Sequence, residues 1–308
     1  YIHVPFCPQR CPYCAFAVVT GHGDMRDRYI DAVCAELAYY GNTSWARSVD
    51  TVFIGGGTPS QLEVSHVRRL LSAADEEFGV RTGAEITIEA NPADGDHRRF
   101  SGFYAAGVNR ISMGAQSFSD VALRKLGRLH SVADIYLAVD AARDAGFDSL
   151  SLDLIHSVPG VAPREWEGSI EAAIELRPQH ISSYGLTLEE GTIFHNRWMQ
   201  GRLQQVAEDD DAAQYRRAVD VLTAAGYEQY EVSNFARPGF RSRHNWGYWT
   251  GCEYLGLGMS AHSFVGDVRS WNSSQMQRYL DSVESGECPR EGEELIVGDT
   301  ARRESLWL

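Results

Sequence analysis

The sequence predicts an α/β fold in which parallel strands alternate with helices, arranged as a (β/α) barrel or part of one. Short apolar runs alternate with helical patterns up to residue 184. Alanine- and glycine-containing helix ends recur directly before strands, at residues 105–108, 144–147 and 224–227. Alternation of this kind implies parallel pairing through right-handed crossovers. Polar residues follow the predicted strands, at the end that forms the catalytic face of a (β/α) barrel.

Six strand–helix units favour a barrel or part-barrel over a doubly wound sheet, with strands at residues 1–6, 51–54, 85–89, 110–114, 150–155 and 180–184. After the first strand, Asp24 begins a helical pattern that ends at Gly41, a residue suited to a C-cap. After the second strand, Ser60 and Glu63 match a capping box. This match predicts a helix over residues 60–78.

The barrel core is expected over residues 1–190, with a C-terminal extension over residues 191–308. In the extension, residues 209–225 predict a helix and residues 228–232 a strand. An aromatic-rich stretch at 244–249 and a glycine-rich segment at 251–266 follow without a linker, so we expect them to lie across the open side or mouth of the barrel. The chain starts inside a strand pattern and stops inside a helical pattern at 305–308, so both ends are expected to be truncated or disordered.

Composition restricts the classes of function. With 44% hydrophobic and 23% charged residues among 308, the chain has the composition of a globular protein with a substantial core. It has no apolar run of about 18 residues and no secretory signal. A net charge of −14 argues against a nucleic-acid binder, because phosphate contacts need a basic surface. Six cysteines, three of them clustered, do not resemble a disulfide framework, and a reducing cytoplasm suits them best.

Near the start of the chain, Cys7, Cys11 and Cys14 have the spacing C-x3-C-x2-C. Thiolates this close in sequence can converge on one soft metal centre. A structural zinc site takes four closed ligands, so three cysteines without a nearby histidine leave one position open. A [4Fe–4S] cluster on three thiolates has one iron free for another ligand. The alternatives are a zinc site completed from elsewhere and a metal-free loop of reduced cysteines.

Other strands also end in residues suited to a binding site: Gly56, Glu89, Gln116 and Asp153, with Arg128 further along after the fourth strand. A glycine turn and two carboxylates beside an open iron suggest a small chelating ligand with amine, carboxylate and ribose groups. Taken singly, the glycines at 55–57 are typical of a turn, and either carboxylate is typical of a solvated loop or a helix cap. Arg128 alone is typical of a surface residue.

These motifs together resemble the radical S-adenosylmethionine (SAM) superfamily. Within it, the chain is similar to the oxygen-independent coproporphyrinogen III oxidase family, which includes the HemW-type heme chaperones. The resemblance covers nearly the whole chain and rests on the cysteine motif, GGGTP at 55–59, IEANP at 88–92, SMGAQSF at 112–118 and DLI at 153–155. It implies a radical-SAM (β/α) partial TIM barrel with a C-terminal α+β extension. In relatives, a small helical domain follows that extension.

The resemblance also implies a set of cofactor ligands. Residues at the [4Fe–4S] ligand positions are Cys7, Cys11 and Cys14. Residues at positions that hold SAM are Tyr1, Gly56, Gly57, Thr58 and Glu89. Residues at positions that contact a second SAM in the oxidase are Gln116, Arg128 and Asp153. The implied reaction is reductive cleavage of SAM to a 5′-deoxyadenosyl radical, a chemistry that belongs to the cofactor and requires a reductant for the cluster.

Two features separate the branches of this family. The oxidase typically has a further cysteine two residues after the third, where this chain has Phe16. The chain also resembles the HNxxYW motif of the heme chaperones, at His244, Asn245, Tyr248 and Trp249. A histidine among aromatic residues suits an axial heme ligand beside a porphyrin platform; the alternative is a packed core histidine. His156 stands where relatives commonly have tyrosine.

The expected function is therefore that of a cytoplasmic heme chaperone, which binds heme, a [4Fe–4S] cluster and SAM and passes heme to an acceptor protein. Any association with a membrane would be peripheral and would run through the acceptor. One alternative is the coproporphyrinogen III oxidase itself, an oxidative decarboxylase of two propionates, against which the missing cysteine counts. Another is a zinc-bound barrel without radical chemistry.

Overall fold

The predicted alternation of strands and helices is present in the computed structural model, which describes residues 1–43 and 48–307. The strands of this part of the chain are β1 (Ile2–Val4), β2 (Phe6–Cys7), β3 (Val19–Thr20), β4 (Val49–Gly56), β5 (Val80–Ala90), β6 (Arg110–Gln116), β7 (Ser149–His156), β8 (His180–Gly185), β9 (Glu228–Gln229), β10 (Asn234–Ala236), β11 (His262–Val265), β12 (Val268–Asn272) and β13 (Arg290–Leu295). Its helices are α1 (Arg26–Gly41), α2 (Val64–Phe78), α3 (His97–Ala105), α4 (Asp120–Lys125), α5 (Val132–Asp144), α6 (Pro163–Glu175), α7 (Ile193–Met199), α8 (Glu208–Ala224), α9 (Arg243–Trp249), α10 (Met276–Glu284) and α11 (Gly298–Trp307).

The centre of the molecule is an eight-stranded sheet with the order β1-β4-β5-β6-β7-β8-β10-β9. Each pair of neighbours from β1 to β8 is parallel, whereas β10 runs antiparallel to β8 and to β9. β1 and β9 stand at the two ends of this order, so the sheet is an open, partial barrel. The parallel strands are those predicted from the sequence.

The two faces of this sheet differ in chemistry because side chains alternate along each strand. Apolar side chains at alternate positions are fully or almost fully buried within one continuous core, which includes Val52, Ile54, Ile88, Ile111, Met113, Leu150, Leu152 and Leu154. Intervening positions carry polar side chains, among them Thr51, Thr87, Glu89, Ser112, Ser151, Asp153 and Ser182. The sheet therefore turns a polar face towards the inside of the barrel.

Two predicted helix starts are wrong by a few residues. A 3-10 turn over Gly23–Met25 precedes α1, which ends at Gly41 with Asn42 as its C-cap. α2 begins at Val64, and its capping box joins Glu63 to His66. Ser60 cannot cap a helix because its hydroxyl donates to Asp94 and accepts from the Asn91 amide.

Beyond residue 190, α8 confirms the predicted helix, but the predicted strand over 228–232 is only the two-residue β9. β9 and β10 continue the main sheet past residue 190, and the domain boundary at that residue stays a prediction. β11, β12 and β13 form a separate antiparallel sheet. The predicted C-terminal helix is the end of α11, and Leu308 lies outside the described residues. Among the helices so described, none is long and apolar enough to cross a membrane.

Candidate functional site

A cavity of about 840 Å³ lies on the polar inner side of the parallel strands and reaches their carboxyl ends. Its lining includes every site residue predicted from the sequence except Trp249: Tyr1, Cys7, Cys11, Cys14, Gly56, Gly57, Thr58, Glu89, Gln116, Arg128, Asp153, His244, Asn245 and Tyr248. The residues that follow the strands meet in one place because the carboxyl ends of parallel strands share an edge.

The cysteine loop follows β2 and is held at several points. A turn joins the Cys14 amide to the Cys11 carbonyl at 3.1 Å, and the three thiols are free and half-buried. The Cys7 Sγ lies 3.3 Å from Thr58 Oγ1, and Arg128 Nη1 lies 3.6 Å from Cys11 Sγ. Burial raises the pKa of the Cys7 and Cys14 thiols, and the positive charge of Arg128 acts in the opposite direction.

This donor set fits a [4Fe–4S] cluster. Three free thiols line one cavity, and a guanidinium beside them suits the negative charge of bound thiolates. Within residues 1–43 and 48–307, no three His, Cys, Asp or Glu side chains converge closely enough to hold a single metal ion. In a cubane each thiolate binds a different iron, so a cluster takes a wider ligand spacing than one ion does.

The glycine turn after β4 is fastened to the segment that leads into Cys7. The Gly57 amide donates to the Val4 carbonyl and the Thr58 amide to the Phe6 carbonyl, both at 2.8 Å. Gly56 has φ = 116°, and a Cβ on it would lie 2.6 Å from the His3 ring. Only glycine fits here, because the turn must approach β1 closely in a backbone conformation that other residues rarely adopt.

Two carboxylates face the cavity from β5 and β7. Glu89 Oε2 accepts a hydrogen bond of 2.9 Å from the Gly56 amide, and burial raises the pKa of Glu89 to about 7. Asp153 accepts hydrogen bonds from three serine hydroxyls, those of Ser112, Ser151 and Ser182. Burial raises the pKa of Asp153, and these hydrogen bonds oppose that effect.

Gln116 and Arg128 extend the same wall beyond β6. Gln116 ends the strand with φ = 65°, a left-handed conformation that costs a non-glycine residue roughly 1–3 kcal/mol. Arg128 is half-buried and donates through Nη2 to the Gly114 carbonyl at 3.2 Å, while its Nε has no hydrogen-bond partner among the described residues. The guanidinium is therefore held between the cysteine loop and β6.

Helix α9 closes the other end of the cavity. His244 is 7% exposed; its Nδ1 lies 2.8 Å from Thr51 Oγ1, and its Nε2 lies 2.9 Å from the Tyr248 hydroxyl. Its ring stacks on Phe53, and burial lowers its pKa well below the usual value. Both ring nitrogens are thus bonded, as in a packed core histidine. Trp249, on the same helix, is half-buried outside the cavity.

The serines that hold Asp153 are candidate site residues that the sequence reasoning missed. Ser112, Ser151 and Ser182 lie inside predicted strands, at the positions that alternate with the apolar core residues. That two-residue period is the signal that could have found them. Tyr13, Asn91 and Tyr184 also line the cavity without having been predicted.

Comparisons with known proteins agree with this fold. The model of the radical SAM superfamily matches residues 1–173. The heme chaperone HemW of Lactococcus lactis is 36% identical over 100% of this chain and 80% of its own length. The heme chaperone HemW of Escherichia coli is 41% identical over 86% of this chain and 69% of its own length. The structure of E. coli coproporphyrinogen III oxidase (HemN), a radical SAM enzyme, superposes with a TM-score of 0.86 and 25% identity, over 99% of this chain and 73% of that one.

The structural match confirms the predicted fold class. The superfamily implies a [4Fe–4S] cluster, SAM and a reductant for the cluster. The chain belongs to the radical SAM superfamily and, within it, to the family of the HemW heme chaperones.

Proposed function

We propose that this protein is a heme chaperone, which binds heme and delivers it to an acceptor protein from a barrel that also holds a [4Fe–4S] cluster and SAM. The observation that carries the proposal is the similarity along the whole chain to HemW proteins, such as 36% identity to that of L. lactis. Identity to the oxidase with the same fold is 25%. We also propose that the chain works in the reducing cytoplasm and that any contact with a membrane runs through the acceptor.

Phe16 also favours a heme chaperone over the oxidase. Its side chain is 67% exposed and lines the cavity two residues after Cys14. A benzyl group offers an apolar surface to a planar ligand, but it has neither the acidic proton nor the nucleophilic sulfur of a thiol. Any step of an oxidase that needs a thiol at this position has no group here to perform it.

We propose that Cys7, Cys11 and Cys14 hold the cluster, and that the SAM pocket is formed by Tyr1, Gly56, Gly57, Thr58 and Glu89. When bound, a reduced cluster supplies the electron that cleaves SAM. The chain itself supplies the positive charge of Arg128 beside the thiols and a carboxylate, Glu89, fixed by the Gly56 amide. We propose that Gln116, Arg128 and Asp153, on the same wall, also contact bound SAM.

The oxidase remains the second candidate, because the 0.86 TM-score places this fold close to that of coproporphyrinogen III oxidase. The test is anaerobic reconstitution followed by two parallel assays on one preparation: hemin binding, and conversion of coproporphyrinogen III to protoporphyrinogen IX. The E. coli oxidase serves as the positive control for turnover. We expect hemin binding without turnover. Conversion of the porphyrinogen by this chain would overturn the proposal.

A further inference from the structure

A second cavity, of about 920 Å³, adjoins the first on the side of β1. The two cavities share Tyr1, Ala15, Phe16 and Tyr248 in their walls. The second cavity therefore begins where the exposed ring of Phe16 stands, beside the cysteine loop. Its size lies within the range of small-molecule and cofactor sites.

The walls of this second cavity suit a planar apolar ligand that carries acidic groups. Tyr254 and Phe264 add aromatic surface to that of Phe16 and Tyr248. Arg269 supplies a cation on the same wall and forms ion pairs with Glu294 and Glu304. A carboxylate of a ligand can exchange with either glutamate as a partner of this guanidinium.

His262 lines this cavity with its ring orientation fixed by the antiparallel sheet. It is paired with Trp271 across β11 and β12, and the two rings stack with centroids 5.8 Å apart and an interplanar angle of 30°. Trp271 is in turn paired with Gly292 on β13, where a Cβ would lie 2.5 Å from the indole. Glycine at 292 thus leaves room for the indole on which the imidazole rests.

The imidazole of His262 has ring nitrogens that are free to bind a ligand, whereas that of His244 does not. In the part of the chain that the structure describes, the His262 ring is exposed, stacks on Trp271 and has no hydrogen bond to its nitrogens. Both nitrogens of His244 are already engaged, with Thr51 and Tyr248.

We propose that heme binds in this second cavity, with the imidazole of His262 as an axial ligand of the iron and Phe16 against the porphyrin at the junction with the first cavity. This inference rests on the proposed function and specifies where the cargo sits. Heme would then lie next to the cluster and SAM site instead of within it.

The test is a hemin titration of the anaerobically reconstituted protein and its variants. Difference absorption against the same protein without hemin gives the affinity, and low-temperature EPR of the ferric heme reports the axial ligand. His262→Ala should remove the imidazole signature and weaken hemin binding by about tenfold or more. His262→Gly with added imidazole should recover the signature. His262→Gln, which keeps side-chain bulk and polarity, should behave like the alanine variant and serves if that variant fails to fold.

Three further variants locate the ligand. Cys252→Ala removes the exposed thiol of the same cavity and should keep the imidazole signature. His97→Ala removes an exposed histidine on α3 and should keep the parent signature and affinity. His244→Ala tests the first cavity. Loss of the imidazole signature in His244→Ala, or its survival in the His262 variants, would overturn the site but leave the chaperone proposal standing. Failure of the parent to bind hemin would overturn both.

Discussion

Cys11 and Arg128 form a contact between the cysteine loop and the barrel wall. Arg128 Nη1 lies 3.6 Å from Cys11 Sγ, and Arg128 Nη2 is anchored on the Gly114 carbonyl. A thiolate bound to a cluster carries negative charge that a nearby guanidinium stabilises. The positive charge of Arg128 therefore complements the negative charge that a cluster would bring to Cys11.

Replacement of Cys11 by alanine should abolish cluster assembly, since two thiolates cannot hold the cubane in its open-site form. Iron and acid-labile sulfide measured after anaerobic reconstitution provide the readout. Cys34→Ala is the matched control, because Cys34 is another half-buried free thiol but lies on α1, outside the cavity. A Cys11→Ala protein with the iron and sulfide content of the parent would refute the ligand assignment.

The motif predicts that His244 lies at the site, but only its neighbours in the structure decide whether its imidazole is free to bind a ligand. The HNxxYW pattern led to His244 as a candidate heme ligand, and the pattern does place it on the cavity wall. Its hydrogen bonds to Thr51 and Tyr248 depend on residues 193 positions away and four positions away. A sequence pattern carries no information about the first of these contacts, which decides whether the imidazole is available.

At the scale of elements, helix α9 closes one end of the first cavity, and a residue of β5 caps the first turn of this helix. The Glu85 carboxylate accepts hydrogen bonds from the backbone amides of Arg243 and His244, each at 3.0 Å. These amides belong to the first turn of α9, where backbone donors have no partner within the helix. The local N-cap, Ser242, accepts only from the Asn245 amide, so a strand residue caps the two amides that Ser242 does not reach.

Glu85→Ala should lower the free energy of unfolding by about 1–2 kcal/mol, because it leaves those two amides without an acceptor. Urea denaturation of cluster-free protein measures the change. Glu228→Ala is the control: it removes an exposed glutamate that pairs with Arg241, and such surface pairs contribute roughly 0–1 kcal/mol. Equal stability of Glu85→Ala and the parent would show that the capping contact does not hold α9.

For the whole molecule, the sequence predicted the features that depend on local pattern. It predicted the parallel strands, their polar ends and hence a common cavity, because strand alternation and the shared carboxyl edge are general properties of (β/α) folds. It missed the antiparallel sheet and the second cavity. The hairpin of β11 and β12 is local, since Val265 pairs with Val268. The second cavity also needs the segment before that hairpin to meet β1, where the Leu257 carbonyl accepts from the His3 amide and the Leu257 amide donates to the Tyr1 carbonyl. No local pattern encodes a pairing over such a separation.

A buried carboxylate, Glu36 on α1, joins the barrel to the C-terminal extension. It accepts hydrogen bonds from the Gly258 amide at 2.8 Å, from Asn272 Nδ2 at 2.7 Å and from the Tyr279 hydroxyl at 2.7 Å. Nearby, the Tyr29 hydroxyl donates to the His3 carbonyl and accepts from the Met259 amide. Segments from both parts of the chain therefore meet at one polar cluster inside the core.

This cluster predicts a specific dependence of stability on pH. Burial raises the pKa of Glu36 from 4.5 to about 7, so the folded state holds this proton more tightly than the unfolded state does. The resulting stabilisation is fully present below pH 4.5 and is lost as the pH rises to about 7. Glu36→Gln cannot ionise. Relative to that variant, the parent should lose up to roughly 3 kcal/mol of unfolding free energy across this range.

Urea denaturation of cluster-free parent and Glu36→Gln at pH 5 and pH 8 measures this difference, because other titrating groups are common to both proteins and cancel. Glu76→Gln, on the exposed side of α2, is the control and should follow the parent at both pH values. A parent and a Glu36→Gln variant that change equally between the two pH values would mean that Glu36 does not carry this proton. A selective loss of parent stability at pH 8 would identify this carboxyl as the titrating group at the junction of barrel and extension.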